Sequence, residues 1–395
     1  MLDLYNNVLS FSLPDVHPEA KMKISLQRTL RIPDDGKAYP LPPDLGHFPL
    51  RRVDDFKDRV PAKWLEHGGI MTALYQSEAL WMRFSGHQVQ YQGVYPFAVK
   101  IAAGKVSAVT GERWSAGLTP KDYVTVPKQP WIDGYVVEKG LVRQFVAAPL
   151  GLGVTAEEQI TGEAEFGGIQ IEVIPMKSEV FNRRFPRVVP QPRIMRSTSL
   201  GGDMWEGKSS GGIRPMSATN ADTRRRGMRS RSETKGADAI RSVWDSDEEV
   251  FGAAAADMGM AAGGQMKQEI YADPFDISDW DTQNTQRVFI HLANSLVWKA
   301  VTQQDPPSPP QTAADYARYG LPWFDTYKDD LHALQGTDKL KGVMSMLKYG
   351  MQKGLNLLPE NESIDLNKLD QVTHMVGTPH QVKLVGPNTI REGKW

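Results

Sequence analysis

The sequence predicts a mainly β, α+β protein: an antiparallel, β-rich N-terminal domain, sandwich-like or barrel-like, followed by a smaller mixed α/β unit. Three observations carry this expectation. Apolar residues recur at period two between Gly-marked turns through residues 1–186. The 35 Gly and 27 Pro supply many such turns. A chain of 395 residues also exceeds the roughly 250–300 at which a single core stops growing, which favours two units.

The elements follow in order. Met22, Ile24, Leu26, Leu30 and Ile32 alternate on one face and run into the turn Asp34-Asp35-Gly36, which makes a strand. Arg28 falls on that same inward face, so an ion-pair partner is expected for it. The Pro-rich YPLPPDLGHFPL reads as an extended surface segment. Further strands are expected at 79–84, 94–101, 105–110, 123–126, 135–138, 141–147 and 169–174. Ala103-Gly104 and Lys139-Gly140 supply hairpin turns. From 187 to 249 the chain becomes a low-complexity Arg/Ser/Gly/Pro-rich linker or long loop, because it offers little apolar surface to bury. Its Arg224, Arg225, Arg226, Arg229 and Arg231 are answered by Asp245, Asp247, Glu248 and Glu249, which leaves no strong nucleic-acid signal. Residues 250–354 form the mixed unit, with strands at 264–271 and 287–292 and helices at 296–302 and 312–319. It ends in a basic amphipathic helix over 338–353, where Leu340, Val343, Met344, Leu347 and Met351 make an apolar stripe. That helix packs on its own core, with peripheral membrane contact the alternative. Residues 355–395 form a loosely structured tail.

Charge and composition exclude several function classes. Forty-six basic and 47 acidic side chains leave a net charge of -1, so no global field recruits nucleic acid or an anionic membrane. The absence of Cys removes disulfides, thiolate metal sites and cysteine nucleophiles. The N-terminus lacks the basic-then-apolar order of a secretory signal, and no apolar run reaches the roughly 20 residues of a membrane span. A soluble, cytoplasmic protein is the expectation. The eight His show no zinc spacing, and nucleophile-elbow, P-loop and kinase signatures are missing, so no cofactor and no metal are expected.

Two motifs remain as candidate sites. PWIDGY at 130–135 returns as PWFDTY at 322–327, which makes Trp131, Asp133, Tyr135, Trp323, Asp325 and Tyr327 the candidate anchor or binding residues. The Gly-Gly landmarks at 167 and 263 stand in inverted order relative to the two hexapeptides, so tandem duplication fails. Each hexapeptide reads as an anchored turn, with a buried Trp and an Asp accepting backbone N–H groups. The alternative is a carbohydrate cleft in which Asp133 and Asp325 form a carboxylate pair. In PLGLGVTAEEQ, Gly151, Gly153 and Ala156 fit G-x-G-x-x-A while Thr155 and Glu158 form a capping box. This is a phosphate-loop candidate for a nucleotide, against the plainer reading of a tight turn into a short capped helix.

The segments RTLRIPDDGKAYPLPP, PWIDGYVVEKGLVRQFVAAPLGLG, GGIQIEVIPMK and LPWFDTY resemble a family of uncharacterised bacterial and fungal proteins of unknown function. That resemblance implies no catalytic residue. The expectation is therefore a non-enzymatic structural or interaction protein, with protein partners or self-association, and the enzyme or nucleotide- or carbohydrate-binding protein as the alternative.

Overall fold

The computed structural model describes residues 1–188, 257–309, 332–355 and 388–394. All of them belong to one of the two compact units into which the chain divides; the other unit, Val189–Asp247, lies outside the described residues.

Two sheets hold the structure. The first runs β1 (Leu2–Tyr5), β2 (Val8–Ser12), β3 (Lys21–Thr29), β8 (Ala79–Gly86), β16 (Leu141–Pro149), β18 (Met258–Lys267) and β4 (Ala38–Tyr39). Off this path, β5 (Asp44–His47) pairs with β3, β14 (Trp131–Ile132) with β8 and β15 (Gly134–Glu138) with β16. The second runs β12 (Val106–Ser107), β11 (Phe97–Ala103), β17 (Ile169–Pro175), β19 (Gln286–Ala293), β7 (Ile70–Ala73) and β6 (Leu50–Arg52), with β13 (Val124–Val126) beside β11. A small hairpin joins β9 (Gln88–Val89) to β10 (Gly93–Val94). Pairing is antiparallel except at β18–β4 and β19–β7. The fold is thus mainly β, and among the described residues neither sheet closes into a barrel.

Strand alternation decides the packing. Met22, Ile24 and Leu26 of β3 and Leu80, Met82 and Phe84 of β8 share one core with Phe97, Val99 and Ile101 of β11 and Val288, Ile290 and Leu292 of β19. The two sheets therefore make a sandwich around that core. A second cluster covers the outer side of Met71, Ala73 and Ala293 with α1 (Ala62–His67) and α4 (Ser295–Thr302). A third places Val154 and Met346 over Ala79, Val146, Ala148 and Ala261. The remaining helices are α2 (Ala156–Thr161), α3 (Ser178–Arg184), α5 (Asp338–Gly342) and α6 (Met346–Lys353).

The described residues within 250–354 do not stand apart from 1–186. β18 pairs with β16 from Leu141–Lys267 to Pro149–Met258, and β19 lies between β17 and β7. The strand expected at 264–271 starts earlier, at Met258, because pairing to β16 imposes extension on the low-propensity run Ala261-Ala262-Gly263-Gly264. The basic helix expected over 338–353 is broken in two: α5 ends at Gly342 and Ser345 caps α6 by accepting Lys348 N–H, leaving Met351 exposed. The strand expected at 105–110 stops at Ser107, whose hydroxyl accepts from Val109 and Thr110 N–H and bends the chain. The helix expected at 312–319 lies outside the described residues. So does most of the tail expected at 355–395, but its residues 388–394 are ordered against β1 and α1. Arg28 meets its expected partner, Glu78, at 2.6 Å.

Candidate functional site

PWIDGY forms two short strands with a corner between them, not the anchored turn expected. β14 sets Trp131 opposite Arg83, β15 sets Tyr135 opposite Arg143, and Asp133 stands where the chain passes from β8 to β16. Gly134 is required there, since a Cβ would lie 1.9 Å from Arg143 O. Trp131 is only half-buried; the buried ring is Tyr135, whose hydroxyl donates to Met260 O at 2.9 Å. Asp133 takes no backbone N–H in its own corner. Gln268 Nε2 donates to its Oδ2 at 2.6 Å, while Asp133 N–H donates to Gln268 Oε1 at 2.9 Å. Burial pushes the Asp133 carboxyl up to about 7, against the opposing pull of hydrogen bonds from the Trp131 side chain and Gln268. Gln129 holds the same corner by donating to Trp131 O and accepting from Tyr271 N–H. Neither glutamine carries a signal in the sequence, because each depends on a partner more than 130 residues away, Tyr271 for Gln129 and Asp133 for Gln268. Trp323, Asp325 and Tyr327 lie outside the described residues.

The phosphate-loop candidate is already filled. Gly151 and Gly153, at φ 97° and 75°, turn their N–H groups onto Glu158 Oε1 at 2.7 and 2.9 Å. Thr155 N–H and hydroxyl donate to Glu158 Oε2, and Thr155 caps α2 in return, as the capping box predicts. The chain's own carboxylate occupies the place an incoming phosphate would need. Its neighbour Glu157 accepts N–H groups from Lys105, Phe166 and Gly167, and burial raises its carboxyl above the ordinary range. Both glutamates tie loops down. Among the described residues no group of three or more His, Asp or Glu is placed to hold a metal ion.

A groove opens instead beside the residues that lead into PWIDGY. Val94, Pro96, Thr125, Pro127, Lys128, Phe185, Pro274 and Phe275 line a cavity of about 270 Å3. Its walls are fixed from behind. Asp273 accepts from Tyr123 hydroxyl at 2.6 Å, Trp280 Nε1 at 2.8 Å and Phe275 N–H at 2.9 Å, which sets the Pro274-Phe275 edge. Burial and the Asp273 carboxylate raise the Tyr123 hydroxyl far above its ordinary value, so it stays a donor. Asp279 pairs with Arg184 at 2.5 Å, and the Arg184 guanidinium lies 5.4 Å from the Phe275 ring centroid. Phe185 meets Phe275 edge-on at 6.2 Å. Lys128 Nζ donates to Ala272 O at 3.1 Å, joining the two walls. Thr125 is among the lining residues, but its hydroxyl is closed off from solvent and has no hydrogen-bond partner. Tyr91 and Val188, both exposed, flank Phe185 through the Val188 N–H bond to Tyr91 O, and exposed Ile277 follows Phe275. Apolar surface left open around a groove marks an interaction site more often than a random patch.

Comparison with known proteins adds no identity: no family model, no curated protein and no solved structure matches this chain.

Proposed function

We propose that this chain is an interaction protein, and that its groove receives one or two apolar side chains from an extended segment of a partner protein. The observation that carries the reading is the combination of Pro and Phe walls with exposed Tyr91, Val188 and Ile277 close in sequence to the lining residues Val94, Phe185 and Phe275. The volume decides between occupant classes. About 270 Å3 lies just below the roughly 300–1,000 Å3 of small-molecule sites and is far too small for a dinucleotide, but it accommodates side chains from a strand lying across the rim. Lys128 then supplies a cation for an acidic flank.

A displayed library of twelve-residue peptides tests the proposal, with selection run in parallel on the parent and on Phe275→Arg. Enriched peptides should share a bulky apolar residue, bind the parent, and lose at least tenfold in affinity on a Phe275→Arg protein that melts like the parent. Enrichment that is equal on both proteins would refute the groove as the site.

A further inference from the structure

Residues 388–394 lie in a cleft between β1, the segment 52–69 and β19, and they are recognised position by position. Leu4 N–H donates to Asn388 O and Ile390 N–H to Leu2 O, both at 2.8 Å, which adds the segment to the β1 edge. Thr389 hydroxyl donates to Asp3 Oδ1 at 2.9 Å, and Arg52 donates to Thr389 O. Ile390 is buried. The Arg391 guanidinium takes both oxygens of buried Asp54, at 2.8 to 3.1 Å, and also donates to Leu65 O. Gly69 N–H donates to Arg391 O, and Glu392 pairs with Arg287 at 2.7 Å. At Gly393 a Cβ would come within 2.1 Å of Glu66 O, so that position admits glycine alone. Lys394 N–H donates to Glu66 O, and its own carbonyl meets His67 Nδ1.

This is strand addition combined with a pocket for Ile, a bidentate carboxylate for Arg and a glycine-only step, the means by which proteins recognise extended peptides. Every partner among the described residues belongs to residues 2–69 or is Arg287, whereas residues 356–387 intervene before the described structure resumes at Leu355. Thirty-two residues span up to about 110 Å, so the sequence length joining the segment to the rest allows it to reach a second copy. The cleft has no contact that distinguishes its own segment from the same segment of another molecule.

We infer that the cleft binds residues 388–394 of a second copy of this chain, and that exchange of this segment is the contact through which copies associate. The inference is independent of the groove. A tethered segment competes at an effective concentration on the order of millimolar, so the closed monomer dominates in dilute solution and exchange grows in proportion to protein concentration.

The absence of Cys makes the test direct. Asp3 and Thr389 form an antiparallel bridge flanked by the two main-chain bonds, a narrow pair whose Cα separation of about 4.5 Å suits a disulfide. The double variant Asp3→Cys, Thr389→Cys is oxidised at concentrations from about micromolar to about millimolar and run on a non-reducing gel. Cross-linked monomer should dominate at the low end, with covalent dimers and longer chains rising in proportion to concentration. Mass spectrometry of the oligomers should find disulfides joining position 3 of one copy to position 389 of the next. Monomer alone across the whole range would overturn the inference, and so would oligomers whose disulfides join two copies of position 3 or two copies of position 389, as random collision gives. Should the double variant fail to fold, light scattering on the parent at the same concentrations replaces it. A synthetic peptide of residues 386–394 then lowers the assembled fraction if the inference holds and leaves it unchanged if it does not.

Discussion

Replacing Asp133 by Asn should flatten the pH dependence of stability. The Asp133 carboxyl stands at about 7 in the folded protein against 3.8 for the free group. Below pH about 4 both states bind the proton, between about 4 and 7 only the folded state holds it, and above about 7 neither does. The favourable contribution is therefore complete in acid and is lost as pH rises towards 7. A difference of about 3 units corresponds to about 4 kcal/mol at 1.36 kcal/mol per unit, and to a slope of about 1.4 kcal/mol per pH unit. Asn cannot ionise. Its amide oxygen still accepts from one of the two donors, Gln268 or Trp131, and the other donor loses its partner at about 1–3 kcal/mol, independent of pH. Glu78, which burial also lifts to about 7 despite Arg28, titrates equally in parent and variant and cancels in the difference. Urea unfolding of both proteins at half-unit steps from pH 4.5 to 8 measures that difference. The parent should lose stability relative to the variant steadily up to about pH 7 and then run parallel to it. Parallel curves throughout would show that Asp133 is ionised in the fold, and would refute the buried neutral acid.

Two further outcomes follow from the glycines and the filled loop. Gly134→Ala should cost more than about 4 kcal/mol or prevent folding, whereas Gly36→Ala should cost about 1 kcal/mol, because Gly36 has positive φ but nothing within 4 Å; chemical denaturation of both separates backbone collision from backbone strain. Glu158→Ala should lower stability by about 2–4 kcal/mol by stranding the N–H groups of Gly151, Gly153 and Thr155, and ADP should leave the parent's melting temperature unmoved; an ADP-dependent rise in the parent would restore the phosphate loop.

Much of the sandwich was legible because its strands carry their own period. Ala79–Gly86, Leu141–Pro149 and Ile169–Pro175 lie within a few residues of where alternation puts them. The hairpin β1–β2 carries its signal in Asn6-Asn7, which take the positive φ that a two-residue primed turn demands. β18 was misplaced because Gly and Ala carry no alternation, and its extension is imposed by β16. The basic stripe at 338–353 matched a helix in spacing, but Gly342 and Ser345 stop and restart it locally. The motifs were visible and their roles were not. PWIDGY depends on Gln129 and Gln268, and the loop at Gly151 depends on Glu158, whose capping-box role the sequence did show without revealing that the carboxylate fills the loop. The groove was illegible for a simpler reason: Val94, Thr125, Phe185 and Phe275 are spread over most of the described chain and meet only when both sheets and the Asp273 network are in place.

The central claim is that the groove is where a partner binds, and methyl chemical shifts measured by NMR during titration of a selected peptide test it most directly. The account predicts saturable shifts at the Val94 and Thr125 methyls that disappear in Phe275→Arg. Saturable binding that leaves both methyls unmoved and shifts residues elsewhere would contradict it.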